Sequence, residues 1–195
     1  MKTHLNVLVG LIFASTLALT GCTTAPVDSA PTGVADSLNL LAEHNLNDLD
    51  AKQIIERLDT MPLTERSTDF LASIRPDNLL VSDQKGREVS LQMPENEFYV
   101  SVAPYVYQTH DCYFHSLTTC LGELQNEELQ VTITDADGTV LVSDTYRTYS
   151  NGFLGFWLPR DINATITLEY EGQSVTAPLS TTDADPTCVT TLQLT

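Results

Sequence analysis

Three cysteines and two histidines form the group of side chains with the clearest chemical potential in this sequence. His110, Cys112, His115 and Cys120 fall within eleven residues, and Cys188 lies further along the chain. Thiolates are soft ligands that select Cu(I), Zn(II) or iron–sulfur clusters, and imidazole suits copper or zinc. The combination favours a site for a thiophilic d¹⁰ ion, provided that the fold brings Cys188 to the other four residues.

The spacing of these residues also allows a second interpretation. The Cys-x₂-His-x₄-Cys pattern that runs from Cys112 to Cys120 is only moderately specific for a metal ion. The alternative is one structural disulfide with a spare thiol, in which His110 and His115 are ordinary polar loop residues. Spacing alone leaves both interpretations open.

No other motif in the sequence supplies a complete set of catalytic groups. The sequence has no Gly-x-Ser-x-Gly elbow, phosphate-binding loop, dinucleotide fingerprint or His-Glu-x-x-His. The segment Asp135-Ala-Asp137-Gly138 resembles part of a calcium loop, but Ile133 would occupy the first ligand position, so a hairpin turn is predicted instead. We therefore expect binding rather than enzymatic turnover, apart from a stoichiometric reduction of Cu(II) by the thiols.

Charge and hydropathy exclude two large classes of function. The 195 residues include 26 acidic and 9 basic side chains, which gives a formal net charge of −17, and basic residues are nowhere clustered. Such a chain repels phosphate backbones, so we expect no nucleic-acid partner. The one long apolar run, residues 5–18, is too short to span a bilayer, so a polytopic membrane protein is excluded.

The N-terminus has the pattern of a bacterial lipoprotein signal. A basic start and the apolar run are followed by Leu19-Thr20-Gly21-Cys22, in which small residues precede a cysteine. This pattern predicts a signal peptide over residues 1–21 and lipid attachment at Cys22, so that the membrane is contacted by the lipid anchor only. Thr23, in place of Asp, favours sorting to the periplasmic face of a Gram-negative outer membrane.

Lipid attachment leaves an odd number of cysteines in a compartment where disulfides form. At most two of Cys112, Cys120 and Cys188 can pair within the chain. The remaining thiol indicates reactivity, a metal or an intermolecular bridge.

The first part of the mature chain predicts a tether and short helices. Residues 22–36 are rich in Thr, Ala, Pro and Ser, which is typical of a linker. Leucine and isoleucine at helical spacing between residues 37 and 74 predict two or three helices, the clearest of which has Asp50 as N-cap and Gln53 as its capping-box partner. These apolar stripes are too thin to form a core alone. We predict that they pair two copies of the chain, and packing on the same chain's sandwich is the alternative.

The second part of the chain predicts strands. After Pro76 the apolar pattern has a period of two, and short strands recur at the spacing of an antiparallel sandwich. The predicted fold class is therefore α+β. It has a helical N-terminal region over residues 37–76, which would form the dimer, and a β-sandwich-like domain over residues 77–195, which would carry the metal site.

Several stretches of the sequence match a known family closely. They are Met61-Pro62, Phe70-Leu-Ala-Ser-Ile-Arg-Pro-Asp, Phe98-Tyr-Val-Ser-Val-Ala-Pro-Tyr, Gln108-Thr-His-Asp-Cys-Tyr-Phe-His-Ser-Leu-Thr-Thr-Cys-Leu-Gly-Glu-Leu and Gly152-Phe-Leu-Gly-Phe-Trp-Leu-Pro-Arg, followed by Cys188. On these residues the chain resembles the CueP family of bacterial periplasmic copper-binding proteins.

This resemblance implies a homodimer formed through the N-terminal region and a C-terminal β domain with a Cys/His copper site. It also implies roles in copper resistance and in supplying copper to exported enzymes such as Cu,Zn superoxide dismutase. Cys112, Cys120 and Cys188 correspond to the family cysteines. We therefore expect a copper metallochaperone that binds Cu(I) through these thiolates, with His115 and then His110 as imidazole ligands and with Zn(II) as the alternative ion. A thiol-dependent Cu(II) reductase and a disulfide-stabilised structural lipoprotein of the cell envelope are the competing functions.

Replacing Cys22 tests the predicted lipid anchor. In Cys22→Ala the acyl acceptor is lost, so the protein should leave the membrane fraction and accumulate as unprocessed precursor. Fractionation followed by mass spectrometry of the N-terminus measures both effects. Equal recovery of the variant and the wild type in the soluble periplasm would contradict the lipoprotein prediction.

Overall fold

The computed structural model describes residues 39–195 of the chain. The predicted signal peptide, the lipid-attachment residue Cys22 and the predicted tether lie outside the described residues. Within the described range, no helix combines the length and the apolar character that crossing a bilayer requires. The fold is α+β, as the sequence pattern predicts, with helices first and strands in three sheets after them.

The helical part of the described chain is short. Residues 39–43 are helical, helix α1 spans Ala51–Asp59, and a 3₁₀ turn spans Leu63–Glu65. The predicted capping box is confirmed. The Asp50 carboxylate accepts from the backbone N–H of Gln53 at 2.8 Å, and the Gln53 side chain accepts from the backbone N–H of Asp50 at 3.0 Å. This reciprocal pair determines where α1 begins.

The described strands, in chain order, are β1 (Phe70–Ile74), β2 (Asn78–Asp83), β3 (Glu88–Gln92), β4 (Glu97–Val102), β5 (Glu128–Asp135), β6 (Val140–Arg147), β7 (Leu154–Pro159), β8 (Asn163–Tyr170), β9 (Gln173–Ser180) and β10 (Cys188–Val189). The first sheet has the order β1-β2-β3 and is antiparallel. In the second sheet, β4 lies between β10, to which it is parallel, and β7, to which it is antiparallel. The third sheet has the order β6-β5-β8-β9.

Strand β4 separates two apolar cores because its successive side chains point to opposite faces of the sheet. Phe98 and Val100 belong to the sandwich core, which β4 and β7 form with β5 and β8. Tyr99 belongs to a second core beneath α1, together with residues of the first sheet. Since both faces of β4 are covered, its polar side chains must find partners within the protein.

One part of the predicted helical region is a strand. The sequence pattern predicts helices as far as Ile74, but Phe70–Ile74 forms β1 and pairs with β2 across Pro76. The side chains of Phe70, Ala72 and Ile74 are buried and those between them are more exposed, which is the period of two of a strand. The apolar Leu71 hides this alternation in the sequence, although it is 52% exposed.

The aliphatic stripes of the helical part are buried within the chain itself. Ile54, Ile55 and Leu58 pack in the second core against β1, β2 and the side chains of Tyr99 and Leu117. The stripes therefore pack within the chain, as in the alternative, but mainly on the first sheet and, in the sandwich, on Tyr99 of β4. A homodimer has to use a different surface from these stripes.

Candidate metal centre

The segment between β4 and β5 carries four of the five predicted ligands, and backbone hydrogen bonds hold its centre against β1. The backbone N–H of Ile74 donates to the carbonyl of His115 at 2.8 Å, and the backbone N–H of Leu117 donates to the carbonyl of Ala72 at 2.9 Å. The Thr187 hydroxyl accepts from the backbone N–H of His115 at 3.0 Å and donates to the carbonyl of Ile74 at 2.7 Å. His115 is therefore held on the edge of a sheet although it lies in a loop.

The last strand brings the distant cysteine to this loop. In β10, Cys188 lies opposite Ser101 of β4 in a parallel pairing. Its backbone N–H donates to the carbonyl of Tyr113 at 3.1 Å. The C-terminal segment therefore closes over the loop and places the Cys188 side chain, only 1% exposed, beside the other sulfurs.

Three sulfurs lie close together, and one imidazole lies beside two of them. Cys112 and Cys188 form a disulfide, and Cys120 is a free thiol. The Sγ of Cys120 lies 3.7 Å from the Sγ of Cys112, and the Sγ of Cys188 lies 3.9 Å from Nδ1 of His115. The backbone N–H of Ser116 donates to the Sγ of Cys120 at 3.3 Å. Each predicted cysteine is thus part of one cluster.

The two predicted histidines occupy different environments. His115 is fully buried, and its ring packs against Phe153 with the ring centroids 4.6 Å apart. His110 is exposed at the rim of the cluster. One of its ring nitrogens lies within 4.8 Å of the Sγ atoms of Cys112 and Cys120.

A buried carboxylate behind His115 is absent from the sequence prediction. Asp59, the last residue of α1, is completely buried. One carboxylate oxygen lies 3.0 Å from Nε2 of His115, and the other accepts from the Tyr99 hydroxyl at 2.6 Å. Ser101 Oγ lies 3.4 Å from the oxygen that Tyr99 contacts, Oδ2. Arg66 Nη2 lies 3.9 Å from the oxygen that faces His115, Oδ1. Asp59 lies four residues after Ile55, on the apolar stripe of α1. An acidic residue on an apolar stripe was the sequence signal that could have identified Asp59 as a buried partner of the site.

A tight turn supplies a further donor to Asp59. The side-chain oxygen of Asn151 accepts from the backbone N–H of Phe153 at 3.1 Å, which directs its NH₂ group to Asp59 at 3.3 Å. The next residue, Gly152, has a φ of +79°, and a Cβ there would lie 2.7 Å from backbone atoms of Gly122. Only glycine allows the turn to approach the metal-site loop this closely.

His115 and each of its two acidic neighbours, Asp59 and Cys120, stabilise one another's charged forms. Burial lowers the pKa of His115, but the charge of Asp59, the hydrogen bond to Asp59 and the contact with Cys120 raise it to about 9. Burial raises the pKa of Asp59, but the charge and hydrogen bond of His115 lower it overall. Burial also raises the pKa of the Cys120 thiol, and His115 lowers it overall. His115 thus lies between the carboxylate of Asp59 and the thiol of Cys120 and favours the charged form of each.

This donor set fits a soft metal ion such as copper. Because Nε2 of His115 faces Asp59, Nδ1 is the nitrogen directed towards the sulfurs. A carboxylate that holds the second nitrogen of a ligating histidine fixes the ring and strengthens it as a donor. Reduction of the disulfide would make the sulfurs of Cys112 and Cys188 available as thiolates, and Cys120 is a free thiol in the oxidised state.

Comparisons with known proteins agree with this geometry. A family model described as "Periplasmic copper-binding protein CueP" matches residues 53–193. A solved structure described as "Crystal Structure of S.CueP" is 36% identical in sequence, with a TM-score of 0.75, and the match covers 80% of this chain and 96% of that one. Comparison with curated proteins gave no match.

The Asp59–His115 pair should control the protonation of the imidazole. In metal-free protein we expect His115 to stay protonated up to about pH 9, and Asp59→Asn should lower its pKa because burial is then opposed only by the contact with Cys120. Since the pKa of His115 is raised by folding, its contribution to stability is complete below about pH 6.5 and is lost as the pH rises through the folded-state value. NMR titration of the imidazole measures the pKa.

Ser101→Ala is the matched control for this titration, since it removes only the 3.4 Å contact with the same carboxylate. It should leave the pKa of His115 close to the wild-type value. An unchanged pKa in Asp59→Asn would show that the carboxylate does not determine the charge of His115.

Proposed function

This chain belongs to the CueP family of periplasmic copper-binding proteins, and from that membership we propose that it binds copper as Cu(I). The proposed ligands are the thiolates of Cys112, Cys120 and Cys188 with Nδ1 of His115, and His110 adds a fifth donor at the rim. The observation that carries the proposal is the grouping of the Cys120 and Cys188 sulfurs with a buried imidazole that a carboxylate holds in place, while Cys112 is bonded to Cys188 and lies beside Cys120. Soft sulfur ligands favour Cu(I), and Zn(II) is the competing ion.

The position of the cluster supports a role in handing copper to another protein. His110 is exposed, and Cys112 and Cys120 are only partly buried, so one side of the cluster can be reached from solvent. A copper acceptor can replace ligands one at a time from that side. We propose that the acceptors are exported copper enzymes, with Cu,Zn superoxide dismutase as the example, and that this supply accompanies copper resistance in the periplasm.

The proposed cellular setting includes the lipid anchor at Cys22 and the outer membrane. The predicted tether of residues 22–36 would extend over at most about 50 Å, which limits how far the metal site can move from the membrane surface. A homodimer remains part of the proposal. Its interface lies outside the stripe of Ile54, Ile55 and Leu58, since these side chains are already buried.

The disulfide favours a second function, the reduction of Cu(II). When Cys112 and Cys188 form their S–S bond, two thiolates release two electrons, and two Cu(II) ions accept one electron each to become Cu(I). The free thiol of Cys120 remains available as a soft ligand for the product. The reaction is stoichiometric and needs an external dithiol for a second round. A purely structural disulfide is the third candidate, and it requires no copper chemistry.

Single substitutions separate copper binding from a structural role. In reduced protein, each of Cys112→Ser, Cys120→Ser and Cys188→Ser replaces a soft thiolate with a hard hydroxyl, so Cu(I) affinity should fall steeply. His115→Ala and His110→Ala should cost less, about 10- to 100-fold. Competition against a Cu(I) chelator measures the affinities, and thermal melts of the same variants measure their stability.

The structural candidate gives a different pattern in the same experiment. Under oxidising conditions the Cys112 and Cys188 variants would each lose about 2–5 kcal/mol of stability, and the stability of the Cys120 variant would be unchanged. Copper affinity would be equal in all five variants. That pattern would contradict the proposed copper site.

Mixing reduced protein with Cu(II) under anaerobic conditions tests the reductase candidate. We expect two Cu(I) ions per disulfide formed, because the electrons balance only in that ratio. A Cu(I)-specific chromophore counts the ions, and peptide mapping identifies the bond. Cys112→Ser should abolish the Cys112–Cys188 disulfide, whereas wild-type Cu(I) yield in that variant would exclude this pair as the electron source.

A further inference from the structure

The five donors of the cluster form two groups of three rather than one group. His110, Cys112 and Cys120 have their ligand atoms within 4.8 Å of one another, and His115, Cys120 and Cys188 form a second group by the same measure. Cys120 is the only residue that belongs to both groups. Each group contains two sulfurs and one imidazole, which is a complete donor set for one soft ion.

The disulfide is divided between the two groups. Cys112 belongs to the group that contains the exposed His110, called the outer group here. Cys188 belongs to the group that contains the buried His115, called the inner group. In the oxidised state each group therefore has one imidazole and the shared thiol of Cys120. Reduction adds one thiolate to each group at the same time, so a single two-electron step completes both donor sets.

The distances within the groups suit a three-coordinate ion. A d¹⁰ ion with metal–sulfur bonds of about 2.3 Å separates two sulfurs in a trigonal arrangement by about 4 Å. The Cys112 and Cys120 sulfurs of the outer group are 3.7 Å apart. In the inner group, the Sγ of Cys188 is 3.9 Å from Nδ1 of His115. Apart from the separation of the Cys112 and Cys188 sulfurs on reduction, these distances are already close to those around such an ion.

We propose that the reduced cluster binds two Cu(I) ions, one in each group, bridged by the thiolate of Cys120. The charges agree with this stoichiometry, because three thiolates with two Cu(I) ions carry a net charge of only −1. One Cu(I) ion would leave two negative charges unbalanced beside the carboxylate of Asp59. This inference rests on the proposed function and specifies the number of ions and the role of each ligand.

The two ions would occupy different environments. The inner group includes the fully buried His115 and the 1%-exposed Cys188, and Asp59 holds the imidazole. The outer group includes the exposed His110 and the partly buried Cys112. The outer ion is therefore the one that an acceptor or a chelator removes first, and the inner ion is held more tightly.

Titration of fully reduced protein with Cu(I), in competition with a chelator, tests the stoichiometry. The wild type should bind two equivalents in two steps. His110→Ala should keep the tight step and lose the weak one, and Cys188→Ser should lose the tight step. X-ray absorption of the loaded wild type should contain a copper–copper contribution that His110→Ala lacks. His110 is exposed, so this variant should fold normally, and circular dichroism checks that it does.

The matched control is His44→Ala, since His44 packs on Phe70 and belongs to neither group of donors. It should bind two equivalents, like the wild type. A wild type that binds one equivalent, or a His110→Ala variant that still binds two, would overturn the two-ion inference while the proposed copper binding stands. A wild type that binds no Cu(I) would overturn the proposed function itself.

Discussion

The contact between the Asp59 carboxylate and the His115 imidazole is the interaction on which the architecture of this protein depends. A fully buried carboxylate is stable only when charge and hydrogen bonds compensate for the water it has lost. Here the compensation comes from His115, from Tyr99 and Ser101 on β4, and from Asn151 in the turn before β7. A single side chain at the end of α1 therefore joins three other parts of the chain at the back of the metal site.

This dependence connects the candidate metal site to α1 as well as to the strands. Strand β4 sends Phe98 and Val100 into the sandwich core, and its alternate residues Tyr99 and Ser101 face the helix side. The same strand pairs with β10 and so places Cys188 beside the loop. Packing of the sandwich and orientation of the ligands are thus consequences of one strand that is buried on both faces.

Local patterns in the sequence predicted local structure, and the failures concern contacts between distant residues. The capping box at Asp50 and the hairpin at Asp135, whose carboxylate accepts from the next turn residues, depend on neighbours in the sequence and were predicted correctly. The strand Phe70–Ile74 was missed because its burial is set by pairing with β2. Asp59 was missed for the same reason, since its partner His115 lies 56 residues away. The five candidate ligands do lie together, but no spacing rule could choose which two cysteines pair.

The proposed copper site and the disulfide share the same sulfurs, and electrostatics connects the two. In the oxidised site, His115 lowers the pKa of both Asp59 and Cys120. Reduction of the Cys112–Cys188 disulfide introduces two further thiols into a pocket whose inner wall is already acidic. Their ionisation is unfavourable there unless cations are added, and a ligand that binds only the reduced state shifts the equilibrium towards it. Cu(I) bound at the proposed site would therefore also supply the positive charge that stabilises the reduced cluster.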